Sequence, residues 1–261
     1  MARMNDPSES AISLIRAARR IVAFSGAGIS TEAGIPDFRS PRGVYSNSDA
    51  LEWLSASGFR RDPAAFYRAS MGLFSTIARA APTDAHRLLV RLEELGKVEA
   101  VVTQNIDGLH AAAGSSNVFE LHGTWRTGRC SECGAFHSMA PLYEKILRGE
   151  TDAPGCSLCS APVRPDIVLF EELLPVEAWQ GAVAAVGRCD LMLVLGSSLV
   201  VYPAAELPMM AVSAGAKLAI VNLEETSCDR AAAAVVRGRL GEFARAALAA
   251  FSPAPPAPPS S

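Results

Sequence analysis

Four of the six cysteines stand in two Cys-x-x-Cys pairs, Cys130/Cys133 and Cys156/Cys159, with 22 residues between the pairs. Two such knuckles let four thiolates close a tetrahedron around one Zn²⁺, and a Cys₄ set leaves no open coordination position, so the metal is expected to be structural. The spacer is slightly longer than the roughly 15–20 residues of zinc-ribbon patterns. A redox role is the competing reading, but neither pair sits in the strand–helix context of a thioredoxin-like motif. Any fold for this chain must therefore bring both ends of residues 130–159 to one point. Cys189 and Cys228 stand alone.

The first twenty residues, MARMNDPSESAISLIRAARR, carry acids and no apolar leader run, and no uncharged stretch approaches the ~18–20 apolar residues of a membrane span. The reading is a soluble, cytoplasmic protein with no membrane partner, in which paired cysteines favour metal over disulfides. With 24 Lys+Arg against 27 Asp+Glu, the formal charge of -3 is too balanced to supply the cationic field that nucleic-acid binding needs. A hydrophobic content of 49% with 20% charged residues excludes disorder for most of the 261 residues.

Buried-strand patterns alternate with helical ones, which argues for an α/β fold around a parallel sheet covered on both faces. Arg20–Ser25 reads as a strand running into Gly26-Ala27-Gly28, with the helix of a phosphate-binding turn expected after it. A helix is expected from Pro82/Thr83 to Gly96, with Ala85, Leu88, Leu89, Leu92 and Leu95 on one face. Further strands are expected at Val98–Thr103, Leu191–Leu195 and Lys217–Val221, and a last helix at Glu242–Phe251. Two stretches interrupt the rhythm: residues 36–80, read as short helices around Trp53, Phe59, Phe66 and Phe74, and residues 125–165, which hold the paired cysteines. The expected organisation is a Rossmann-like sheet domain from residues 1–35, 81–124 and 166–251, a helical and cofactor-loop excursion at 36–80, and a zinc module at 125–165. Both excursions build a smaller lobe, and the Pro-rich residues 252–261 form a mobile tail.

Polar clusters fall at the strand ends, where ligands bind in open α/β sheets. The Gly26-Ala27-Gly28-Ile29-Ser30 turn suits a dinucleotide, but position 31 is Thr rather than the third glycine of G-x-G-x-x-G, so an ordinary glycine-rich turn stays open. Thr103-Gln104-Asn105-Ile106-Asp107-Gly108-Leu109-His110 offers amides for ribose hydroxyls and an acid for an amide N–H₂; a solvated loop with an Asx turn is the alternative. His122, after a short strand and before Gly123, is a candidate general base or else a satisfied structural histidine. Gly196-Ser197-Ser198 and Val221-Asn222-Leu223-Glu224 repeat the polar strand-end arrangement.

Taken together, GAGIS, GIPDFR at 34–39, TQNIDGLH, LHG, the four cysteines, RPDIVLF at 164–170, GSSLVVYPAAELP at 196–208 and IVNLEET at 220–226 resemble the sirtuin family of NAD-dependent protein-lysine deacylases, and most of all its bacterial deacetylases. The resemblance implies NAD as co-substrate and acylated-lysine proteins or peptides as partners. In that chemistry the acyl oxygen attacks C1′ of the nicotinamide ribose and nicotinamide leaves. A histidine then activates a ribose hydroxyl, and water completes release of lysine and O-acyl-ADP-ribose. The base would be His122; Gln104 would hold the ribose, and Asn105 and Asp107 would shape the nicotinamide pocket, with Ile106 between them also binding the cofactor. Ala27, Gly28, Ser30 and Thr31 would line the phosphate side under a loop carrying Phe38 and Arg39. Gly196, Ser197, Ser198 and Asn222 would take the adenosine half with Leu240 near the adenine, and Val168 and Phe170 would line an apolar acyl-lysine tunnel. Glu171 follows Phe170 where the family usually has Gly, on a strand that pairs with substrate. Tyr45 and Ser48 occupy positions where acidic-acyl enzymes carry Tyr and Arg, so uncharged acyl groups are expected. Two other readings compete, mono-ADP-ribosyl transfer from the same NAD and a non-catalytic NAD-sensing module, and His122 speaks against the second.

Overall fold

A computed structural model describes residues 6–37 and 52–252. Nine strands are present among them: β1 Ile21–Ser25, β2 Val98–Thr103, β3 Val118–Glu120, β4 Gly123–Cys130, β5 Phe136–Ser138, β6 Val163–Ile167, β7 Leu191–Leu195, β8 Lys217–Asn222 and β9 Ala234–Arg237. Six form an all-parallel sheet in the order β3-β2-β1-β7-β8-β9. The remaining three form an antiparallel sheet in the order β5-β4-β6.

Central strands β1 and β7 are apolar at almost every position because both of their faces are covered. Alternation still sorts their side chains. Ile21 and Ala23 enter one core, whereas Val22 and Phe24 enter the other. The first core is closed by α1 Pro7–Ala17, by Asp84–Glu94 and by Leu240–Phe251; the second by Val176–Val186 and Leu207–Ser213.

The helix Asp84–Glu94 shows how sequence sets its ends. Thr83 donates its backbone N–H to His86 Nδ1 at the N-terminus, and Ala85, His86, Leu88, Leu89 and Leu92 form the buried face. Each fully buried leucine contributes on the order of 1.5–3 kcal/mol. Leu95, expected on that face, lies past the last turn and is 42% exposed.

The second sheet packs with the short helix Ala56–Arg61 and the helix Pro63–Arg79. At 17 residues, the latter is longer than the short helices expected there. Phe59, Phe66, Tyr67 and Phe74 share one core with Met139, Tyr143, Val163 and the inner cysteines Cys130 and Cys156. Phe66 meets Phe59 and Tyr67 edge-on, each at 5.2 Å. The Tyr67 hydroxyl donates to the Val163 carbonyl at 2.6 Å and that of Tyr143 to the Trp125 carbonyl at 3.1 Å, so neither buried phenol lacks a partner. Gly123 joins the two sheets at φ +74, where a Cβ would strike the Asp166 carbonyl oxygen.

Strands Leu191–Leu195 and Val98–Thr103 match expectation, and β1 and β8 differ from it by one residue. The last helix begins at Leu240, two residues early. Among the described residues no α-helix follows directly on the first glycine turn; two 3₁₀ turns, Ala27–Ile29 and Thr31–Ala33, take its place. No helix among the described residues is long and apolar enough to cross a membrane. Phe38, Arg39, Tyr45, Ser48 and the tail from residue 253 lie outside the described residues.

Candidate active site

Strand order reverses between β1 and β7, and the turns leaving these strands meet there. Gly28 donates its N–H to the Gly196 carbonyl at 2.9 Å, and a Cβ on Gly28 would lie 2.7 Å from Gly196 Cα. The glycines thus let two turns touch, a use beyond the close approach to a ligand expected from sequence.

A cavity of about 300 Å³ opens over this junction. The first turn contributes Ala27, Gly28 and Thr31, the end of β2 contributes Gln104 and Asn105, and His122 lies on the wall. Gly196, Ser197 and Ser198 follow β7, Asn222 ends β8, and Leu240 opens the last helix. Ser30, Ile106 and Asp107 instead line a small adjoining pocket, which shares Ala27 and Asn105 with the cavity. Val168 and Phe170 line neither: Val168 donates its N–H to the His122 carbonyl at 2.9 Å, and Phe170 is 45% exposed.

Sequence reasoning missed wall residues such as Glu32 and Thr83, and it singled out Leu240 without giving a role to Arg239 beside it. Arg239 was hidden because β9 is only four residues long and follows an alanine run that reads as helix. With that strand unrecognised, its polar end could not be seen.

The imidazole of His122 has one nitrogen committed. Its Nδ1 lies 2.8 Å from the Gln104 carbonyl oxygen, which can only accept, so Nδ1 bears the proton and Nε2 presents a lone pair. Burial pushes its pKa below the usual histidine value, opposed by the Gln104 bond. The Gln104 side chain accepts from Ser197 Oγ at 3.2 Å, tying the turn after β2 to the turn after β7, and its buried Nε2 has no protein partner. An unpaired buried donor on a cavity wall suits a polar ligand.

Beside it, Asn105 Nδ2 donates to the Gly26 carbonyl and to Ser30 Oγ, each at 3.2 Å. Ser30 Oγ donates in turn to Asp107 Oδ2 at 2.7 Å, and Asp107 Oδ1 accepts from Leu109 N–H at 2.9 Å. The last contact is an Asx turn, yet the loop is not solvated, since Asn105 and Asp107 are both buried. Burial raises the Asp107 pKa against the pull of these hydrogen bonds.

A second polar feature was not anticipated. His86 and His110, both fully enclosed, lie 4.7 Å apart between ring centres. Ser25 Oγ donates to Thr103 Oγ1 at 2.8 Å, so the His110 Nε2 contact, also 2.8 Å, is a donation to Ser25. Thr103 Oγ1 also accepts from Asn105 N–H at 3.1 Å, which completes a buried chain from the histidine pair to the cavity wall. Burial is the main cause that lowers His110 to about 4 and His86 to about 2.

The sulfurs of Cys130, Cys133, Cys156 and Cys159 all lie within 4.8 Å of one another. Three pairs stand at 3.3, 3.6 and 3.7 Å. A tetrahedral zinc with Zn–S bonds of ~2.3 Å needs sulfurs about 3.8 Å apart, so the set fits that ion and leaves no ligand position for substrate.

The parallel sheet in the order 3-2-1 then 7-8-9, with a polar cleft at the reversal, defines a doubly wound α/β protein that binds its ligand at the topological switch point. The Sir2 family model matches residues 26–203, and the chain belongs to the Sir2 family. It is 45% identical to an NAD-dependent protein deacetylase of Thermotoga maritima over 90% of this chain and 94% of that protein. A Sir2–p53 peptide–NAD⁺ complex shares 42% identity and a TM-score of 0.84 over 92% of this chain and 96% of the other. Sir2Tm bound to a propionylated peptide shares 41% identity and a TM-score of 0.85 over 94% and 99%.

Proposed function

We propose that the protein removes acetyl or other uncharged acyl groups from lysine side chains of proteins. The reaction consumes NAD and releases nicotinamide, O-acyl-ADP-ribose and free lysine. The observation that carries this reading is His122, whose Nδ1 is fixed on the Gln104 carbonyl while Nε2 is left free in the cleft. NAD supplies a ribose carbon that nicotinamide leaves and the acyl oxygen attacks. His122 Nε2 removes the proton of a ribose hydroxyl as that oxygen attacks the acyl carbon; a lowered pKa keeps the imidazole neutral and able to do so near pH 7.

The other assignments are those the resemblance implies, and the cavity lining supports those that reach it. Gln104 directs its unpaired N–H₂ at a ribose oxygen, and Asn105, Ile106 and Asp107 form the nicotinamide end. Ala27, Gly28, Ser30 and Thr31 serve the phosphate side, with Phe38 and Arg39 assigned as further cofactor contacts. Gly196, Ser197, Ser198, Asn222 and Leu240 hold the adenosine half. Val168, bonded to the His122 carbonyl, and Phe170 after it are assigned to the apolar wall for an acyl-lysine. Zinc on the four cysteines keeps residues 125–165 folded and takes no part in the chemistry.

The division proposed for the chain is a sheet domain from 1–35, 81–124 and 166–251, with 36–80 and 125–165 as one lobe; the core shared by Phe66, Phe74, Tyr143 and Val163 supports it. A cytoplasmic location suits thiols that must stay reduced to hold metal.

Incubation of an acetyl-lysine peptide with NAD, followed by mass spectrometry, is expected to yield O-acetyl-ADP-ribose. No product from a panel of acyl lengths, with NAD still bound, overturns the reading. Label from NAD appearing on protein instead would support ADP-ribosyl transfer.

A further inference from the structure

Glu171 is one of three non-glycine residues with positive φ among the described residues, at +78°. An L-residue is held there only when its surroundings compensate. Its carboxylate supplies that compensation. Oε2 accepts the Ser57 N–H at 3.0 Å and Oε1 accepts the Ser57 hydroxyl at 2.9 Å. Just before it, Phe170 N–H donates to the Leu54 carbonyl at 3.2 Å, and Ala56 N–H donates to the Phe170 carbonyl at 3.1 Å. Residues 170–171 are therefore stitched to residues 54–57 by backbone and side chain alike.

The other edge of this short segment is fixed by different means. Val168 N–H is held by the His122 carbonyl, and Leu169 N–H donates to Glu172 Oε2 at 2.9 Å. Glu172 itself is gripped by both terminal nitrogens of Arg164 at 2.6 Å, on strand β6. Two adjacent glutamates thus perform separate tasks. Glu172 ties the segment back to its own strand, whereas Glu171 ties it across to the helix Ala56–Arg61.

We infer that Glu171 is a positioning residue for the peptide substrate: its carboxylate clamps residues 170–171 onto Ser57, which steadies the short segment that begins with Val168 on the His122 carbonyl. The inference rests on the deacylase reading for its link to the peptide. Glycine at 171 would ease the backbone but remove the clamp. Glutamine would keep it, because the amide oxygen can accept from Ser57 N–H and the amide N–H₂ can donate to Ser57 Oγ.

The test is steady-state kinetics with an acetyl-lysine peptide, together with amide hydrogen exchange. Glu171→Gly is expected to raise peptide KM roughly fivefold or more, while kcat and the NAD KM stay within about twofold. Glu171→Gln is expected to stay within about twofold in all three, and Ser57→Ala, which loses one of the two bonds, to raise peptide KM roughly two- to threefold. Exchange at the Ser57 amide is expected to accelerate about tenfold or more in Glu171→Gly and to be unchanged in Glu171→Gln. A peptide KM unmoved in both Glu171→Gly and Ser57→Ala overturns the positioning role, and an unmoved Ser57 amide overturns the clamp. If the parent chain shows no NAD-dependent deacylation, the functional reading falls, and exchange still decides the clamp.

Discussion

The two sheets hold themselves together by different physics. The parallel sheet is sealed on both faces, and its central strands β1 and β7 are wholly enclosed between its two cores. The antiparallel sheet has exposed positions along β4 and β5, and its single core mixes aromatic rings from residues 59–74 with two of the four cysteines. One region is ordered mainly by apolar burial; the other has half of a ligand set inside its core. Chemistry is divided accordingly, since the candidate base and every polar strand end belong to the first region or to its junction with the second.

The sharpest break in that division comes at the junction. His122→Ala is expected to lower turnover roughly 10²- to 10⁴-fold with NAD affinity nearly unchanged, read by kinetics beside calorimetry. Unchanged turnover removes His122 as the base.

Next in size is loss of the metal. Cys133→Ser, or a strong chelator, is expected to release zinc from the chain and to abolish peptide turnover. Far-UV circular dichroism should keep most of its amplitude, because the parallel sheet's cores contain none of the four ligands. Collapse of the whole spectrum would show that the two regions are not energetically separable. Elemental analysis of the desalted protein supplies the metal count.

The histidine pair offers a smaller effect confined to the parallel region. Unfolded, both groups titrate near 6.5; folded, they titrate at about 4 and about 2. The unfolded chain therefore binds more protons than the folded one as pH falls below that value. Stability from this source is steady above ~6.5 and is lost as pH drops, by about 2 kcal/mol per histidine between pH 7 and pH 5. Urea unfolding across that range measures it, and His110→Gln should flatten the slope. A slope unaltered by that change would place the acid sensitivity elsewhere.

The smallest expected effect is at the seam between turns. Ser197→Ala removes the bond to Gln104 and is expected to raise the NAD KM by a factor equivalent to about 1 kcal/mol, leaving peptide KM alone.

The same contrast governs what could be read in advance. Strands such as Leu191–Leu195 announce themselves because burial on both faces demands an unbroken apolar run. Cys130 and Cys159 are legible because metal chemistry fixes their spacing. The three-stranded sheet is not, since Gly123–Cys130 is largely half-exposed and its partners lie beyond intervening loops. Tertiary pairing alone makes it a strand. At the site, single residues next to glycine turns were readable from polarity, and Gln104, Asn105 and Ser197 all reach the cavity. The His86–His110 pair was not, because each sits in an ordinary helical context and acquires meaning only when two helices bring the rings together. The 3₁₀ turns after Gly26 replaced an expected helix because the contact with Gly196 fixes the path of the chain there.

That contact between Gly28 and Gly196 also bears on how the molecule forms. The two strands leading into it are far apart in sequence and neighbours in space, so the floor of the cleft cannot exist until this long-range pairing has closed. The N-terminal strands alone would carry half a cleft, and the C-terminal strands the other half. A dinucleotide spanning both would act as a cross-brace, slowing the separation of two halves that meet across the β1–β7 pairing.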